Sequence, residues 1–171
     1  MDPLALEPYA ARLRWRFPEA QPLANWQALF AAFLDELGWA CTAAGRRVIG
    51  HIKGLALLPG GGFLCGSKVS PHYPPDMEIS GATADSCAEL ELDLNVLVFG
   101  LPLSEAGRIV PEVGQAQALR WGAELEVLAL PVPSGAEGSE AGSFSVGAPD
   151  RSPARAWPCR RSPRWVRPRA C

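Results

Sequence analysis

The sequence predicts an α+β fold: a small, mostly antiparallel sheet of three to four strands, covered on one face by two helices and followed by a disordered C-terminal tail. Three observations predict it. One segment repeats its apolar residues at helical spacing, three later segments are β-rich and bounded by turn residues, and beyond residue 132 no hydrophobic period survives. The expected organisation is a single α+β domain over 1–132 and an Arg/Pro/Gly/Ser-rich tail over 133–171.

The first helix is expected over Asn25 to Trp39. There Trp26, Leu29, Phe30, Phe33, Leu34 and Leu37 recur every three or four residues and so share one face. Asn25 is a candidate N-cap, and Gly38 or Gly45 a candidate stop. Two β-rich runs follow, Val48 to Leu58 and Phe63 to Ser70. The turn between them, Pro59-Gly60-Gly61-Gly62, supplies the positive φ angles of a tight reversal. If Leu58 pairs with Phe63, Lys53 stands beside Lys68 and His51 beside Ser70, while Cys65 falls on the core face. The segment from Ser70 to Cys87 carries Pro71, Pro74 and Pro75 and is expected to be a surface loop. From Glu89 to Phe99, Leu90, Leu92, Leu94, Val96 and Val98 alternate with Glu91, Asp93 and Asn95, which predicts a strand with one buried and one polar face. A second helix over Leu103 to Trp121, broken near Pro111, and a last strand over Glu124 to Leu130 complete the domain.

With 48% of its residues hydrophobic the chain can bury a real core, and no run approaches the roughly 18 to 20 apolar residues of a membrane span. The expectation is a soluble, cytoplasmic protein without membrane contact. Cys41, Cys65, Cys87, Cys159 and Cys171 are odd in number, widely spaced and form no CxxC pair, which argues against a secreted disulfide framework or a zinc ribbon and makes reduced thiols the expectation. Residues 1–132 carry nine basic and fifteen acidic side chains, and 133–171 carry seven arginines against three acids. An acidic domain repels phosphates, so nucleic acid is excluded except through the basic tail. The Arg-Pro-Trp-Cys-rich end has the composition expected of GC-rich DNA read through or out of frame, with a functional basic arm as the alternative.

Gly61-Gly-Phe-Leu-Cys-Gly66-Ser67-Lys68 superficially matches a P-loop, but Ser67 precedes Lys68 and the prolines that follow forbid the required helix. Two other constellations carry more chemistry. Like-charged Lys53 and Lys68 side by side would hold a small anionic ligand, a carboxylate or phosphate, together with His51 and Asn95, unless Glu91 and Asp93 neutralise them. His51, His72, Asp76 and Glu78 supply the donor types of a two-histidine, carboxylate metal site.

The run Val48-Ile49-Gly50-His51-Ile52-Lys53, then a glycine turn, a short strand, a proline loop and Leu92-Asp93-Leu94-Asn95-Val96-Leu97-Val98-Phe99-Gly100, resembles the region downstream of the GTPase in some CobW-like proteins. The resemblance spans roughly residues 29–101, with Gly50, His51, Lys53 and Asn95 as matching positions. Those relatives are GTPases linked to cobalamin or metallocentre handling, and the GTPase is missing from this chain. The resemblance therefore implies a stand-alone accessory domain, names no cofactor, and carries no catalytic role to these residues.

The sequence thus predicts a small binding or accessory domain with no catalysis of its own, acting as a homodimer or with a protein partner. Trp15, Phe17, Leu55 and Leu57 are the apolar residues expected to favour self-association. The rival expectation is a metal- or anion-dependent enzyme using the His51, His72 and Asp76 region with Lys53 and Lys68.

Overall fold

The computed structural model describes residues 8–128. Eight elements follow one another: β1 (Tyr9–Pro22), α1 (Leu23–Thr42), β2 (Val48–Leu57), β3 (Phe63–Lys68), β4 (Asp76–Ser80), β5 (Ser86–Phe99), α2 (Leu103–Trp121) and β6 (Glu124–Leu128). The fold is α+β, with all six strands in one antiparallel sheet of order β4-β3-β2-β5-β1-β6. The expected three to four strands become six, and the expected tail over 133–171 lies outside the described residues.

β5 lies at the centre of the sheet because its alternation runs unbroken from Glu89 to Phe99 and both neighbours can pair with it. Its Leu90, Leu92, Leu94, Val96 and Val98 are buried, as their spacing predicts. β1 was absent from the expected elements, yet it has the same period. Ala11, Leu13, Trp15 and Phe17 point to the core, and Arg12, Arg14 and Arg16 to the other face. Trp15 and Phe17 are therefore core residues and offer nothing to a dimer. β4 is the second unexpected strand: within the supposed loop, Asp76–Ser80 pairs with β3 along five positions.

α1 begins two residues earlier and ends three later than expected. Pro22 occupies its N-cap position, and Asn25 instead donates from its side chain to Gln21 Oε1. Both helices pack on the same face of the sheet and share one core: Phe33 meets Trp15 edge to face at 5.0 Å, and Trp26 meets Phe17 likewise. α1 can lie close to β2 and β3 because Gly54 and Gly66 are paired opposite one another. A Cβ on Gly54 would sit 2.5 Å from the Phe30 ring, and one on Gly66 would sit 2.7 Å from Leu34. α2 runs unbroken through Pro111, which is half-buried, while Ile109, Val110 and Val113 hold the helix on the core. It stops at Gly122, φ 72°, where the N–H groups of Gly122 and Ala123 donate to the carbonyls of Leu119 and Ala118 in a Schellman arrangement. Among the described residues no helix is long and apolar enough to cross a membrane.

Candidate functional site

The β2/β3 hairpin forms where the glycine turn predicts it, with a register one residue away from the expected one. Leu57, not Leu58, pairs with Phe63, so Lys53 faces Ser67 and Ile52 faces Lys68. A one-residue slip sends every side chain of a strand to the opposite face. Lys53 and Lys68 consequently lie on opposite sides of the sheet, and the paired-lysine anion site is not formed. Cys65 moves as well: it pairs with Leu55 and Glu78 on the face away from the helices.

The face away from the helices is a charge ladder at one side. In the β1/β5 register Arg12, Arg14 and Arg16 stand opposite Asp93, Glu91 and Glu89. Arg12 forks onto Asp93 at 2.6 and 3.0 Å, Arg14 bridges Glu91 at 2.5 Å and Glu126 of β6 at 2.9 Å, and Arg16 reaches Glu89 at 2.6 Å. Hydrogen bonding to Asp93 and Glu91 raises the pKa of Arg12 and Arg14 above the usual guanidinium range. Glu91 and Asp93 thus neutralise β1 arginines rather than the lysines expected to meet them. Further along this face Gly50 sits at a bulge between β2 and β5. Beyond it His51 Nε2 lies 3.2 Å from Asn95 Oδ1, and Lys53 stands directly opposite Asn95. Three of the four expected anion-binding residues, His51, Lys53 and Asn95, are therefore neighbours, and Lys68 is not among them.

The expected metal set is dispersed. His51 is on the face away from the helices, Asp76 and Glu78 are two strands farther along that face at the β4 edge, and His72 is beside α1. Among the described residues no three His, Cys, Asp or Glu side chains come together as metal ligands. Cys41 is buried in the core and its thiol is pushed up to about 12 by desolvation, and burial also raises the Cys87 thiol. Neither is poised as a nucleophile.

Lys68 organises a different place, which the sequence did not disclose. Its side chain is fully buried and crosses α1 at Gly38, where a Cβ would come within 2.5 Å of the lysine Cε. The ammonium donates to Asp35 Oδ1 at 2.5 Å, to the Tyr73 carbonyl at 2.7 Å and to the Pro71 carbonyl at 3.5 Å. All three of its protons are used. A buried ammonium is tolerated only with such partners, and the effect here is to tie the β3–β4 connection down onto α1. His72 is thereby set edge-on to the Trp39 ring, centroids 5.1 Å apart. Trp39 remains 49% exposed and Tyr73 67%.

Beside Trp39 a cleft of about 330 Å³ opens between the two helices. Ala32, Asp35, Glu36 and Trp39 fall at spacings of three, four and seven on one stripe of α1, and Gln117 and Arg120 face them from α2. Gln117 Nε2 donates to Glu36 Oε2, which also lies 3.8 Å from Arg120. Gln117 is only 1% exposed, and its Oε1 has no hydrogen-bond partner. Alternation and periodicity could not have found this site, because its residues are the polar members of two helices brought together by their apolar faces. The one available signal was the spacing of Asp35, Glu36 and Trp39 on α1.

No family model, no curated protein and no solved structure matches this chain.

Proposed function

We propose that this domain is a non-catalytic binding module that recognises a protein partner through the Trp39 end of the α1/α2 layer. The observation that carries the reading is a pre-organised exposed aromatic group. Trp39 and Tyr73 are solvent-facing, yet the loop bearing His72 and Tyr73 is fastened to α1 by the buried Lys68 ammonium. Exposed aromatic side chains carried on a backbone that is already fixed give contact area at low entropic cost, which is the character of interface anchors.

The test is a random dodecapeptide display library panned against the full chain. Enriched clones should lose binding to Trp39→Ala and to Tyr73→Ala and keep it for Leu57→Ala on the opposite face. Clones that bind all three variants equally, or no enrichment at all, would remove the reading.

Self-association is a second reading with its own observation. Leu57 is 75% exposed on the face away from the helices, and Val48 and Phe99, which pair with each other on that face, are 63% and 40% exposed. A concentration-independent monomer in sedimentation velocity excludes it. A dimer that dissociates in Leu57→Lys supports it.

A further inference from the structure

The cleft between α1 and α2 has an unbalanced hydrogen-bonding inventory. Lys68 takes only Oδ1 of Asp35, and Gln117 takes only Oε2 of Glu36. Among the described residues Asp35 Oδ2, Glu36 Oε1 and the buried Gln117 Oε1 are left without a hydrogen-bond partner, and the Trp39 ring adds a π face beside them. These three oxygens can only accept, while the spare donors of the cleft are the Trp39 indole N–H, the second proton of Gln117 Nε2 and the exposed guanidinium of Arg120. On the donor side Lys68 is saturated, and Arg120 is 65% exposed and stands 3.8 Å from Glu36, beyond hydrogen-bond reach. A buried amide oxygen in the cleft wall is costly to leave unmet, and with Asp35 and Glu36 beside it the cleft favours an incoming cationic donor over an anion.

We propose that the cleft seats the guanidinium group of an arginine side chain presented by the partner protein. This rests on the binding-module reading above and names the chemistry of its central contact. A guanidinium fits where an ammonium does not. Its planar fork can engage a carboxylate edge, a remaining N–H can reach Gln117 Oε1, and its flat face can lie on the indole of Trp39, whereas an ammonium has three donors and no face to stack. Arg120 is the resident competitor: it hovers at Glu36 without a hydrogen bond and can swing into solvent when a better-placed cation arrives.

The experiment is an NMR titration of the full-length protein at low ionic strength with N-acetyl-arginine methylamide, following the Trp39 indole and Gln117 side-chain amide signals. The lysine and citrulline analogues run in parallel. The arginine compound should shift both signals, the lysine compound should bind about tenfold more weakly, and uncharged citrulline should not bind. Arg120→Ala should tighten arginine binding about three- to tenfold by removing the competing charge, while Glu36→Gln should abolish it with the amide spectrum otherwise intact. Equal binding of citrulline, tighter binding of lysine, or an Arg120→Ala variant that binds arginine no better would overturn the assignment. If arginine fails while displayed peptides still depend on Trp39, the guanidinium assignment falls and the binding module stands. If both fail, neither survives.

Discussion

The charge ladder across β1, β5 and β6 and the cleft between α1 and α2 are both built from arginines and carboxylates, but they are in opposite states of satisfaction. On the ladder each arginine meets its carboxylates at hydrogen-bond distance, and register alone arranges this, since Arg12, Arg14 and Arg16 each face an acid. In the cleft Arg120 stands off from Glu36, and a buried amide oxygen has no partner. Charge count alone therefore does not identify a site. A saturated polar surface has little to offer a ligand, whereas a surface with unmet capacity favours the ligand it lacks.

The largest test of this contrast is Lys68, which holds the cleft side together from within. Lys68→Ala should destabilise the domain by about 2–4 kcal/mol, because it empties a fully buried side chain and releases the β3–β4 connection. Asp35, half exposed, is not stranded as a buried charge and limits the loss. Chemical denaturation measures it, and a cost below that of an ordinary surface substitution would contradict the clamp role.

Gly54→Ala should cost about 1–3 kcal/mol by pushing Phe30 and with it α1 away from the sheet. Because the cleft rides on α1, the Trp39 indole signal should shift in the same variant. A normal indole signal together with lost stability would show that the cleft is independent of how α1 is seated.

On the ladder the expectation is the reverse. Arg14→Ala removes a residue that bridges three strands, yet it should cost no more than about 1 kcal/mol, as exposed ion pairs do. A loss matching that of Lys68→Ala would erase the distinction between the two regions.

The smallest effect is on acid stability. Arg47 hydrogen-bonds Glu105 at 2.5 and 3.0 Å and holds its carboxyl below the usual range. A carboxylate with a depressed folded-state pKa contributes stability above its unfolded pKa and loses it as pH falls through the folded value. Glu105→Gln should therefore lower the melting temperature slightly near neutrality and flatten the acid limb of the profile. An unchanged acid limb would assign acid sensitivity to the ladder carboxylates instead.

Elements carrying a strong local period were legible from residues alone. The α1 stripe and the β5 alternation each name their buried positions, since a period of 3.6 or 2 maps directly onto one face. β1 has as regular an alternation, but three arginines within five residues and Pro18 weigh against a strand in any propensity reading. Its β pairing is fixed by acids some eighty residues away on β5. β4, five residues long and bearing Asp76 and Glu78, has no local signal, and only the open edge of β3 makes it a strand.

The hairpin shows where the boundary lies. The Pro59 to Gly62 turn determined that β2 and β3 pair, but Phe63 to Lys68 carries apolar residues on both of its faces, so its pattern permits either register. The register observed places a lysine toward the helices, a choice that local chemistry disfavours. It becomes acceptable because Asp35 lies on α1 and Gly38 leaves room for the lysine stem. From local pattern alone came both helices, the β2/β3 hairpin, β5 and β6, and the buried stripes of α1 and β5; β1, β4 and the core roles of Trp15 and Phe17 did not. Tertiary structure decided on which face Lys68 falls, and through it where Trp39, Glu36 and Gln117 meet, because burying an ion depends on partners that chain neighbours cannot supply.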